Sequence, residues 1–167
     1  MFGQDREEML YAEQRGLSTE YVPDISSAVA AAGCLGIPAT HRRLSEGFRV
    51  LTTTTADGQL SGAVAVAAQS PRTTAIILMG LNRLADVIGG AGVPAAVIQN
   101  DTLPTVRLVT GTVADLAART ARAGLGAPAI IVVGEVVRLA TVPAAKAAAP
   151  AWQTALQALL LPYAKVA

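Results

Sequence analysis

Two stretches constrain this chain most: TTAIILMG (73–80) and AIIVVGEVVRLA (129–140) each open on a continuous apolar run of strand length. A run without polar alternation has to be buried on both faces. Each therefore predicts a strand inside a layered sheet, with the second kinked or bulged near Gly134. Both runs fall far short of the roughly 20 apolar residues that a membrane helix needs. The rest of the chain must then supply covering layers.

The segments between them do so. Residues 6–15 have helical apolar spacing and end at Gly16, a C-cap residue. EYVP (20–23) reads as a short strand, and 25–36 as a small-residue helix capped by Asp24 and ended by Gly36-Ile37-Pro38. THRRLSEG (40–47) has no period and predicts a loop. FRVLTTT (48–54) is β-branched and strand-like, and Ala56-Asp57-Gly58 is a turn signal. Helices are predicted over 60–68, 82–90 and 113–124, and a strand over 95–100. TVRLVTG (105–111) follows the Leu103-Pro104 turn, and a terminal helix is predicted after Pro150. Strands and helices alternate, so the class is α/β.

Hydrophobic residues make up 52% of the chain, charged residues 15% and aromatics 4%. The core must be built from small side chains, and so little charge implies that a partner covers some apolar surface. A net charge of +1 gives no field for nucleic acid or an anionic membrane. The single cysteine, Cys34, excludes an intrachain disulfide and fits a reducing compartment. Met1 to Glu8 does not read as a signal peptide, so the expected location is cytoplasmic. His41 is the only histidine, which leaves no set for a histidine metal cluster and makes a Ser-His-Asp triad improbable.

The order of several motifs is more specific. FGQDREE (2–8), PDISSA (23–28), GIPATHR (36–42), LMGL (78–81), QNDT (99–102), RLVTGT (107–112) and PAIIVVGEVV (128–137) occur in that sequence. Together they resemble uroporphyrinogen-III C-methyltransferases of the tetrapyrrole methylase group. The resemblance implies a mixed sheet of about five strands with flanking helices, like the C-terminal domain of those enzymes. It implies S-adenosylmethionine as cofactor, a tetrapyrrole precursor of sirohaem or cobalamin as substrate, and a homodimer. It also implies three parts: 1–18 as a linking helix and remnant of an interdomain active-site loop, 19–142 as the C-terminal α/β domain, and 143–167 as a helical tail. A separately encoded N-terminal half would then complement the chain.

By the same resemblance the cofactor-binding positions are Ser26, Ser27, Met79, Asp101 and Ala129. The substrate positions are Glu7 and Arg42, with Arg43 beside the latter. A helix start such as Ser26-Ser27 suits a carboxylate, and guanidinium groups suit a substrate rich in carboxylates. Without the resemblance, Ser26 and Ser27 read as first-turn helix residues, Met79 as core, and Arg42 and Arg43 as solvated loop charges.

Five positions depart from the family pattern. Gln4 stands for its arginine, Asp5 and Arg6 for two glycines, Asp24 for a glycine, and Asp101 for a glycine or alanine. Two functions follow from this mixture. One is a methyltransferase incomplete by itself. The other is a non-catalytic dimeric module that binds a tetrapyrrole or a partner protein.

Overall fold

The protein is described by a computed structural model covering residues 5–141 except 56, 71 and 88–91. The proposed tail helix, and Gln4 of the first motif, lie outside the described residues. In order the elements are α1 (Asp5–Glu13), α2 (Ser27–Cys34), β1 (Gly47–Thr52), α3 (Gly62–Ala68) and β2 (Thr73–Leu78). A 3-10 helix (Leu81–Asp86) leads to β3 (Pro94–Gln99), β4 (Arg107–Thr112), α4 (Leu116–Arg122), β5 (Ala129–Val133) and a second 3-10 helix (Glu135–Leu139).

The five strands form one mixed sheet in the order β1-β2-β5-β3-β4. β1 runs parallel to β2, and the other pairings are antiparallel, with Ile77 opposite Ile131 and Ile98 opposite Ile130. The two apolar runs are therefore neighbours near the middle of the sheet, as their lack of alternation requires. Ile76, Leu78, Ile98, Ile130 and Val132 face α2, while Ala75, Ile77, Val97, Ile131 and Val133 face α3 and α4. Burying each such side chain contributes about 1.5–3 kcal/mol. Ala28, Ala31 and Ala32 give α2 a flat face, so the helix lies close against the sheet.

Several local expectations change in the fold. Residues 20–23 form no strand: Val22 is 74% exposed and has no ladder to join, and β-propensity without a neighbour does not make a strand. α2 starts two residues later than expected because Ser26, in extended conformation, is the cap; its Oγ accepts the Ala28 N–H at 3.2 Å. Asp24 instead accepts the Ile25 N–H at 2.6 Å.

The segment after β2 is a 3-10 helix because its apolar residues, Leu81, Leu84 and Val87, recur every third residue. That spacing matches three residues per turn and aims all three at the core. Residues 129–140 are not one kinked strand. β5 ends at Val133, before Gly134, whose φ of 145° is open to glycine alone, and the chain folds back to bury Val136 and Val137 beside α2.

No helix among the described residues is long and apolar enough to cross a membrane.

Candidate functional site

The strand directions bring four chain segments to one end of the sheet. β2 and β3 both finish there, just before Met79 and Asn100, and the oppositely directed β5 begins there at Ala129. α2 starts at the same end with Ser26 and Ser27. Between them lies a groove of about 850 Å³, within the range of roughly 300–1,000 Å³ usual for small-molecule sites. Its floor is apolar, made by Leu78, Ile98 and Ile130, and the small side chains of Ala30 and Ala31 set its depth. Its rim is polar, with Ser26 and Ser27 at the helix start and Asn100, Asp101 and Thr102 in the turn after β3.

That turn is held by short-range hydrogen bonds. The Leu103 N–H donates to the Asn100 carbonyl at 3.2 Å, and Asn100 Nδ2 donates to Thr105 Oγ1 at 3.3 Å. The Asn100 N–H reaches across to the Pro128 carbonyl at 3.4 Å, joining this turn to the β5 side of the groove.

Backbone strain is concentrated at the same place. Among the described residues, Met79 (φ 55°), Asn100 (53°) and Thr102 (65°) are the non-glycine residues with positive φ, and all three line the groove. The left-handed conformation costs an L-residue about 1–2 kcal/mol. Asparagine tolerates it; methionine and β-branched threonine adopt it only where surrounding contacts impose it. At Met79 one such contact is the buried Thr53 hydroxyl, which donates to the Met79 carbonyl at 2.8 Å. The Met79 side chain is 65% exposed at the groove wall, so its position here is not that of a core residue.

Of the seven candidate positions, Ser26, Ser27, Met79, Asp101 and Ala129 line this one groove. Glu7 and Arg42 do not. Glu7 is exposed on α1. Arg42 sits in the turn bridged by His41 and Ser45, immediately before β1. The Glu46 N–H there bonds to the Arg72 carbonyl just ahead of β2, so this turn lies at the opposite end of the sheet. A six-residue strand separates the two ends by about 20 Å.

The groove also contains residues that were not among the cofactor positions: Ile25, Cys34, Asn100, Thr102, Leu103 and Pro128. The polar run Asn100-Asp101-Thr102 marks a turn in the sequence. Nothing in the sequence marks Thr102 as left-handed. Away from the groove, the Thr55 hydroxyl holds the Asp57 carboxyl below its ordinary pKa, and the Thr112 N–H, then Arg119, do so for Asp115.

Comparison with known proteins agrees with this architecture. The family model of the Tetrapyrrole (Corrin/Porphyrin) Methylases matches residues 2–117. A siroheme synthase of Azotobacter vinelandii is 36% identical over 148 residues, covering 83% of this chain and 31% of that protein. A uroporphyrinogen-III C-methyltransferase of Methanocaldococcus jannaschii is 30% identical over 147 residues, covering 83% of this chain and 60% of its own length. The chain thus spans about a third to three fifths of these relatives. Among solved structures, the Thermus thermophilus uroporphyrin-III C-methyl transferase complexed with S-adenyl homocysteine superimposes with a TM-score of 0.67 at 27% identity. That match covers 83% of this chain and 62% of the other. With the family's sequence pattern over most of the chain and its fold around the groove, the protein belongs to the tetrapyrrole (corrin/porphyrin) methylase family.

Proposed function

We propose that this chain forms the cofactor-binding wall of an S-adenosylmethionine-dependent uroporphyrinogen-III C-methyltransferase acting on sirohaem precursors. The observation that supports this most is the convergence of Ser26, Ser27, Met79, Asp101 and Ala129, from four separate segments, on one groove. The residues fit the cofactor's chemistry. Leu78, Ile98 and Ile130 offer an apolar floor for a flat purine. Asn100 and Thr102 offer polar groups suited to ribose hydroxyls, and the Ser26 and Ser27 hydroxyls suit a carboxylate at a helix start.

Bound there, the cofactor supplies a methyl group on a positively charged sulfur. The part played by this chain is to grip and orient it. The backbone at Met79, Asn100 and Thr102 is already held in the shape of the wall, so little ordering remains to be done on binding. Glu7 and Arg42 belong to no part of this wall, and any contact they make with a tetrapyrrole lies outside the groove.

Ile25, Met79 and Leu103 leave an exposed apolar rim at the groove, suited to cover by a further protein segment. The part of the longer relatives that this chain does not span is the proposed occupant, and a homodimer the proposed assembly.

Isothermal titration of the full chain with S-adenosylhomocysteine tests the cofactor reading. Saturable heat is expected, and it should be lost when Ser26 and Ser27 are both changed to Val in a variant that keeps its fold. No heat at millimolar ligand overturns this reading and leaves the non-catalytic module.

A further inference from the structure

Asp101 is the only charged residue among the described residues that line the groove. Its neighbours along the wall are apolar or neutral, and the floor of Leu78, Ile98 and Ile130 keeps water and counter-ions off one side. Of the charges at this end of the sheet, Asp24 precedes the lining residue Ile25 and is bonded to its N–H, while Arg107, opposite Gln99 on β4, donates to the Ala123 and Gly124 carbonyls and does not line the groove. No lining cation offsets either carboxylate.

Asp101 is also compatible with its backbone. The left-handed residues of the turn are Asn100 and Thr102, on either side of it, so a side chain at 101 needs no glycine conformation. Asp101 therefore puts a carboxylate into an intact wall.

We infer that Asp101 makes this groove select ligands by charge, favouring a sulfonium over a neutral thioether of the same shape. The inference rests on the cofactor reading above. S-adenosylmethionine carries one positive charge more than S-adenosylhomocysteine, and the two are otherwise alike apart from one methyl group. A carboxylate in the wall attracts the first through that charge and is indifferent to it in the second. At separations of several ångströms, and with the groove open to solvent, the preference amounts to about 3- to 10-fold in affinity. It would lower occupation of the site by spent cofactor.

Titration calorimetry with both ligands, on the full chain and on Asp101→Asn and Asp101→Glu, tests this. Asp101→Asn keeps the size and removes the charge; it should weaken S-adenosylmethionine about 3- to 10-fold and change S-adenosylhomocysteine less than twofold. Asp101→Glu should keep the preference, and raising salt from 50 mM to 500 mM should shrink it in the unaltered chain. Equal effects of Asp101→Asn on both ligands, or none on either, overturn the inference while leaving the cofactor reading in place. Binding of neither ligand to the unaltered chain overturns both.

Discussion

The Thr53 hydroxyl and the Met79 carbonyl, 2.8 Å apart, tie the end of the edge strand β1 to the left-handed residue at the groove wall. Thr53 is fully buried, and its own carbonyl accepts the Ser61 N–H at 2.8 Å. One residue therefore links β1, the entry to α3 and the groove. Thr53→Val keeps the shape and leaves the Met79 carbonyl without this donor. It should cost about 1–2 kcal/mol in urea unfolding and weaken S-adenosylhomocysteine several-fold. An unchanged midpoint and affinity would show that the bond does not hold the wall.

Met79 adopts a conformation that glycine takes without strain. Met79→Gly should leave the chain as stable or more stable by up to about 1 kcal/mol, because the exposed side chain gives up little burial. Met79→Ile puts a β-branched residue at φ 55° and should cost about 1–3 kcal/mol. Thermal unfolding of the pair gives the sign of each; a destabilised Met79→Gly beside a neutral Met79→Ile contradicts the assigned strain.

Gly80 follows at a point of close packing. A Cβ there would lie 2.8 Å from Ile131 Cδ1 and 2.9 Å from Thr53 Cγ2. Both neighbours belong to buried side chains with little room to yield. Gly80→Ala should destabilise by about 1–3 kcal/mol and disturb the groove together with the core. A normal unfolding midpoint with normal ligand heat would show that the space adjusts at no cost.

Asp115 gives an acid-sensitive contribution away from the groove. Its carboxylate accepts the Thr112 N–H at 2.7 Å and pairs with Arg119 at 2.6 Å, which holds its pKa below 3.8. A depressed folded-state pKa means that the stabilisation is fully present above the unfolded value near 3.8 and is lost as pH falls through the folded value. The stability difference between the unaltered chain and Asp115→Asn should be constant from pH 7 to about pH 5 and narrow below pH 4. Urea midpoints measured across that range check it; a difference that grows on acidification contradicts the assignment.

Much of the sheet was legible because its signals are local. Ala75–Leu78 and Ala129–Val133 are apolar at every position, and such runs have few alternatives to a strand buried on both faces. Gly16 and Gly124 mark helix ends, both with positive φ as a C-terminal glycine allows. Motif order carried the residues on the groove. The errors arose where the decisive neighbour was distant or absent. Glu20–Pro23 has strand residues and no strand to pair with, and the pattern at 129–140 gives no hint that Val136 and Val137 fold back against α2.

The sequence by itself determined which segments are buried, where most helices and strands lie, and to which family their order belongs, because burial and turn chemistry act over a few neighbouring residues. Tertiary structure alone decided that β2, β3 and β5 bring Met79, Asp101 and Ala129 together while Arg42 lies at the far end. It also decided that Met79 and Thr102 take left-handed backbones. Both depend on strand direction and on contacts such as Thr53 to Met79, made between residues 26 positions apart, which local pattern does not encode.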